Sequence, residues 1–171
     1  MTKYYSGIII LSIALFLAGC GEGISPASVE VAQKAGFSGA ITFKGAWPDS
    51  VQRTHIVVFK NPLKSPGDFS ILNLNYISLS IPNGSTNVTY SSLDSSYIPI
   101  SSGEYSYVIV AQSKTLTLSL NRADWYVVGV YYANGDTTTP GKLIIPPNTL
   151  VKNINITCDF NHLPPQPPGG N

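Results

Sequence analysis

Apolar and polar residues alternate in short runs along most of the chain, and this pattern constrains the fold more than any other feature. In the run "NINITCDF" at residues 153–160, Ile154, Ile156 and Cys158 alternate with polar residues. Successive side chains of a β-strand point to opposite faces, so the alternation predicts a strand with one buried face. No periodic segment of helical length competes with such runs. The chain is therefore expected to be all-β.

Further runs of the same kind predict about seven to nine short strands. Thirteen prolines, together with glycines and asparagines, fall mostly between these runs. Proline cannot donate to a sheet ladder, so its placement marks turns and loops. The runs are "GAITFKG", "RTHIVVFK", "FSILNLNYISLSI", "TNVTYSS", "GEYSYVIVAQS", "TLTLSL", "DWYVVGVYY", "KLII" and "LVKNINITCDF".

The first twenty residues have the pattern of a secretory signal peptide. Lys3 is followed by a stretch from Gly7 to Ala18 that is apolar except for one serine. This stretch is shorter than the roughly 20 residues that a bilayer span requires. Its end, "LAGC" at residues 17–20, resembles the lipobox of bacterial lipoproteins. That resemblance implies cleavage before Cys20 and a diacylglycerol on its thiol. A plain signal peptide, or a buried N-terminal helix with an incidental cysteine, is the alternative.

These patterns predict four parts of the chain. Residues 1–19 are the lipoprotein signal peptide, and residues 20–36 are the lipidated N-terminus and a tether. Residues 37–162 form a single β-sandwich domain. Residues 163–171 form a tail rich in proline and glycine, which is expected to be extended or disordered. A chain of this size buries about 68–70% of its unfolded surface without needing disulfides.

Charge narrows the classes of partner. Without Lys3, the mature chain carries as many basic as acidic residues, and no basic block is present. Nucleic acid is therefore not an expected partner. The expected partners are a membrane, through the lipid on Cys20, and another envelope protein, a peptide or a glycan. Gly21 follows the cysteine, whereas aspartate there is the usual inner-membrane retention signal in some Gram-negative bacteria. The lipoprotein resemblance therefore implies the outer membrane of a Gram-negative bacterium.

Four segments together resemble a known group of domains. They are "SGAITFKGAWP", "GEYSYVIVAQ", "WYVVGVYY" and "PGKLIIPPNTLVKNINITCDF". Over residues 36–162 the chain resembles the carboxypeptidase-regulatory-like group, a branch of the transthyretin-like (prealbumin-like) proteins. The resemblance implies an Ig-like or transthyretin-like antiparallel β-sandwich, used as an accessory or structural module without catalysis. No functional residue of that group corresponds to a position in this chain.

Residues that support catalysis or metal binding form no recognisable motif. The histidines His55 and His162 are not accompanied by a Gly-x-Ser-x-Gly element, although a Ser-His-Asp arrangement can also be assembled by folding. His55 is expected to face outward or to be half-buried. "NGD" at residues 134–136 indicates a turn rather than a calcium loop. Cys158 is interpreted as a small buried hydrophobe, with a reactive thiol or an intermolecular disulfide as the alternative. We expect no enzyme activity, no metal and no cofactor.

Aromatic residues are the remaining candidates for a binding surface. Trp47, Trp125, Tyr126 and Tyr132 are the candidate residues, and strict alternation places Trp125 opposite Tyr126 and Tyr132. Such side chains either stack on sugar rings or a peptide, or fill the core of a sandwich. The sequence therefore predicts a non-catalytic, membrane-anchored envelope lipoprotein with a binding or structural β-sandwich. A small envelope hydrolase and a fimbrial or surface-assembly subunit are the alternatives.

Overall fold

The computed structural model describes residues 33–170, so the predicted signal peptide, Cys20 and most of the tether lie outside the described residues. Between residues 33 and 170 there are eleven strands, two short 3₁₀ turns (Pro66–Asp68 and Arg122–Asp124) and no α-helix. This described part accordingly has no helix suited to crossing a membrane. The strands are β1 Gly36–Lys44, β2 Arg53–Phe59, β3 Leu74–Ser78, β4 Asn87–Ser91, β5 Ser96–Ile98, β6 Gly103–Tyr105, β7 Tyr107–Ser113, β8 Trp125–Val130, β9 Leu143–Ile145, β10 Leu150–Val151 and β11 Ile156–Asp159.

One curled sheet contains most of the strands, in the order β4-β1-β11-β8-β7-β2-β3-β5, and β10 pairs with the start of β1. Strands β6 and β9 form a second, two-stranded sheet. The predicted all-β, sandwich-like fold is confirmed. The large sheet is mixed rather than purely antiparallel, because β1 runs parallel to both β10 and β11. Parallel neighbours need a long crossover, and nearly the whole domain separates β1 from β11.

Several predicted strands differ from those observed. The run at 103–113 divides into β6 and β7, and the final run divides at Asn153, whose φ of 65° leaves the extended region. Only Leu74–Ser78 of the run at 69–81 is a strand. The "TLTLSL" run contains no strand, and β5 was not predicted. Alternation indicates which side chains share a face, but a strand also needs a neighbouring backbone to pair with.

The curl of the sheet encloses the larger core. Phe37, at the start of β1, is fully buried and meets Tyr76 and Tyr90 edge to face, with ring centroids 5.3 and 5.8 Å apart. Cys158 is also fully buried, which confirms its interpretation as a small hydrophobe. Burial raises the pKa of its thiol to about 12. The small sheet closes this inner core with Tyr105, Leu143 and Ile145.

The opposite, outer face of β2, β3, β7 and β8 carries a second apolar cluster. Loop residues Leu63 and Phe69 pack against it, and Leu118, Leu120 and Pro167 line a small cavity of about 30 Å³ above it. His55 belongs to this face and is fully buried, so the expectation of an outward or half-buried ring is wrong. Its ring lies between Tyr97 of β5 and Trp125 of β8, whose side chains cover a position that alternation alone left open.

Candidate binding site along strand β8

Trp47 stands apart from the other candidate residues. Its ring packs against Phe43 and Phe160, with centroids 4.7 and 5.2 Å away. Its indole N–H donates to the carbonyl of Ser85 at 2.9 Å. These contacts make Trp47 a corner of the inner core rather than part of a shared aromatic surface. Cys20, the predicted lipidation site, lies outside the described residues.

A β-bulge in β8 changes which aromatic side chains share a face. Val110 lies opposite Gly129, whereas Ala111 lies opposite Val127, so Val128 is an extra residue in β8. An extra residue reverses the alternation beyond it. Tyr132 therefore joins Trp125 on the outer face, and the prediction that these two lie on opposite faces is wrong. Tyr126 packs on the inner face, as alternation predicts.

Trp125 is mostly buried, with 7% of its surface exposed. Its indole N–H donates to the carbonyl of Ser119 at 2.8 Å, which ties the loop before β8 down onto the sheet. Its ring also meets His55 edge-on, 5.8 Å between centroids. Only part of the ring therefore remains available to a ligand.

Trp125 and Tyr126 line an open groove of about 540 Å³, which we call the Trp125 groove. Lys114 and Asp124 bring opposite charges to its lining. The Tyr126 hydroxyl is buried and has no hydrogen-bond partner among residues 33–170. Burial raises the pKa of Tyr126, so this hydroxyl is a donor at neutral pH. The other lining residues are Pro48, Ser50, Thr115, Ala123, Leu163 and Gln166.

The C-terminal tail borders this groove, and residues 163–170 lie against the sheet. The side-chain carbonyl of Gln166 accepts from the Val127 N–H at 2.8 Å, and its amide donates to the Val127 carbonyl at 2.8 Å. Strand β11 pairs with β8 only at Gly129 and Val130, so Gln166 supplies the polar partners that β11 does not. A tail expected to be extended or disordered is thus an extended segment with specific contacts.

Arg122 fixes the same tail from the other side. It is 7% exposed, and its guanidinium donates to the carbonyls of Trp125 and of Pro167, the latter at 2.9 Å. The guanidinium also lies 5.9 Å from the centre of the Phe69 ring. No carboxylate pairs with it among residues 33–170. Neither Arg122 nor Gln166 was predicted from the sequence to have a binding or structural role. The one signal that could have indicated Gln166 is its position between two prolines.

Within residues 33–170, the histidines do not form the Ser-His-Asp arrangement that a serine hydrolase uses. The Nδ1–H of His55 donates to the Ser78 carbonyl at 2.9 Å, and its Nε2 has no partner among the described residues. Burial is the main cause that lowers the pKa of His55. His162 is 85% exposed in its side chain and lies 3.3 Å from Asp159. Neither ring is hydrogen-bonded to a serine hydroxyl within residues 33–170.

Metal ligands do not cluster either: the described range holds no group of three or more histidine, cysteine or acidic side chains suited to an ion. Comparison of the chain with protein-family models, with curated proteins and with solved structures found no match.

Proposed function

We propose that this chain is a non-catalytic lipoprotein of the cell envelope, anchored through a lipid on Cys20, whose β-sandwich binds another envelope component. The "LAGC" motif supports the anchor, and the absence of a basic block argues against nucleic acid as partner. By resemblance, we propose a transthyretin-like module at the outer membrane of a Gram-negative bacterium. Each buried CH₂ of an attached acyl chain contributes about 0.8 kcal/mol, so two or more chains hold a protein stably.

The Trp125 groove is the observation on which the binding role rests. Its volume of about 540 Å³ falls in the range of ligand pockets, and its lining combines the accessible parts of Trp125 and Tyr126 with the opposite charges of Lys114 and Asp124. Partly exposed aromatic rings beside a few polar groups suit an extended ligand such as a peptide or a glycan chain.

The anchor is tested by intact mass and membrane fractionation of the native chain beside a Cys20→Ser variant. We expect the native protein to lose residues 1–19, to gain lipid mass and to sediment with membranes. The Cys20→Ser variant should do none of these. A native protein that is cleaved but soluble and unmodified would show that the anchor is wrong.

The groove is tested separately, with a photo-reactive amino acid placed at Ser50 in the full chain expressed in cells. Ser50 lines the groove, whereas Lys152 is exposed between β10 and β11 and serves as the matched control position. We expect irradiation to give a discrete cross-linked species from Ser50 and none from Lys152. Equal cross-linking from both positions, or from neither, would exclude the groove as the contact surface.

A further inference from the structure

The tail that crosses the outer face has the chemistry of a polyproline II ligand. In "LPPQPPGG", residues 163–170, the first six residues are each a proline or directly precede one. Proline fixes its own φ near −65°, and the residue before proline is held in the extended or polyproline II region. No cis peptide bond interrupts the described chain. The segment is therefore stiff before it binds, so docking costs it little conformational entropy.

Three specific contacts hold this segment against the outer face of the sheet. Pro167 is the one buried residue of the tail, and its carbonyl accepts from Arg122 at 2.9 Å. Gln166 pairs with both polar groups of the Val127 peptide unit, as a neighbouring strand would. At Gly170, a Cβ atom would lie 2.6 Å from a guanidinium nitrogen of Arg122. Any residue other than glycine there would displace the Arg122 side chain or the tail.

The surface beneath the tail, formed by Tyr107, Arg122, Val127 and Tyr132, is called the seat. It resembles a groove for proline-rich peptides more than a closed core. Tyr107 and Tyr132 line an open space of about 260 Å³ beside the tail, together with Pro62 and Leu63. Aromatic side chains that flank a hydrogen-bonding group are the usual means of recognising polyproline II segments. Leu163, Pro165 and Pro168 remain exposed, so the tail is held at a few points and not enclosed.

We infer that this seat, formed by Tyr107, Arg122, Val127 and Tyr132, recognises proline-rich segments with a glutamine before the buried proline. Its ligand is such a segment of another protein, and the chain's own tail occupies the seat until that segment displaces it. We infer the chemistry of the ligand from the sequence and the contacts of the tail, residues 163–170. This inference does not depend on the lipid at Cys20 or on a ligand in the Trp125 groove.

The test uses the full chain and a peptide with the sequence LPPQPPGG. A Gly170→Val variant should loosen the tail by collision with Arg122 and substitutes none of the residues that form the seat. We expect the peptide to bind this variant at least tenfold more tightly than the wild-type chain, where the tethered tail competes at high effective concentration. A control peptide with alanine at the glutamine position should bind at least tenfold more weakly. Isothermal titration provides the affinities.

A second variant, Gln166→Ala, removes the tail's bonds to Val127 and should expose the seat in the same way. Near-ultraviolet circular dichroism identifies which of the two variants retains native packing. If a natively packed variant does not bind the peptide, or binds the alanine peptide equally well, the inference is overturned. A concentration-dependent dimer of the wild-type chain that the peptide dissociates would also overturn it, by assigning the seat to the tail of a second copy.

Discussion

The two faces of β2, β7 and β8 are closed in different ways. The inner face is covered by the curl of its own sheet and by β6 and β9, and its core is mainly apolar, with a buried hydrogen bond from Gln112 to Thr54 at one end. The outer face is covered by loops and the tail, which polar groups hold to backbone carbonyls and amides. Arg53 holds the loop at Leu116, Trp125 holds it at Ser119, and Gln166 holds the tail at Val127.

The two faces are therefore expected to differ in how readily they rearrange. Apolar burial is non-directional and sums over many contacts, so the inner face has little freedom to rearrange. The outer cover combines apolar packing of Leu63, Phe69 and Pro167 with a small number of hydrogen bonds, each worth about 0.5–1.5 kcal/mol net, or about 1.5–3 kcal/mol for a charged donor. We expect a cover held in this way to open at a lower free-energy cost than the unfolding of the whole domain. The seat of the tail lies on this outer face, whereas the Trp125 groove is lined by residues of both faces, Trp125 from the outer and Tyr126 from the inner.

The largest effect is expected at the inner face, for Phe37→Ala. This side chain is fully buried between Tyr76 and Tyr90, and large-to-small changes of a buried phenylalanine cost about 3–5 kcal/mol. Urea unfolding followed by circular dichroism measures the loss, with Phe37→Leu as the milder control. A loss below about 1 kcal/mol would remove the distinction between the two faces.

A smaller effect is expected for Arg122→Ala on the outer face. The change removes a charged donor to Trp125 and Pro167 but also relieves a buried charge that has no carboxylate partner among residues 33–170. We expect the free energy of unfolding to fall by about 2 kcal/mol and the Val127 amide to exchange faster. Arg53→Ala is the control, because it loses only the loop contact at Leu116. Unchanged exchange at Val127 would contradict the role assigned to the tail.

Acidification should weaken the outer face through His55. Its pKa is lowered from 6.5 in the folded state, so the unfolded chain binds the proton more readily. Stability is therefore complete above about pH 6.5 and falls as the pH decreases below that value. Melting temperatures between pH 7.5 and about 5 should show this slope in wild type and in His162→Ala, and much less of it in His55→Gln. An unchanged slope in His55→Gln would assign the effect elsewhere.

The smallest effect is expected for Leu116→Ser, on the loop that crosses the outer face. Leu116 is 76% exposed although it belongs to the alternating "TLTLSL" run. A surface change of this kind should alter the free energy of unfolding by no more than about 0.5 kcal/mol. Leu143→Ser, at a buried position, is the contrasting variant for the same urea titration. A large loss at Leu116 would show that the run is part of the core after all.

The "TLTLSL" run shows that a local alternating pattern does not decide whether a segment forms a strand. "TLTLSL" and "NINITCDF" alternate equally well, yet only the second contains a strand, because β1 and β8 are present on both sides of it. The same limit applies to the candidate site. Trp125 and Tyr126 can be recognised in the sequence as aromatic candidates. Arg122 and Gln166 cannot, because their hydrogen bonds form only when the folded tail lies beside β8.

The sequence by itself determined the all-β class, the burial of Cys158 and the position of most strands, because period-two alternation is a local property of the chain. The tertiary structure alone decided the parallel pairing of β1, the bulge that brings Tyr132 to the side of Trp125, and the seating of the tail. Each of these depends on which distant segments become neighbours. Neighbours are chosen by burial and backbone hydrogen bonding summed over the whole domain, and no single segment carries that information.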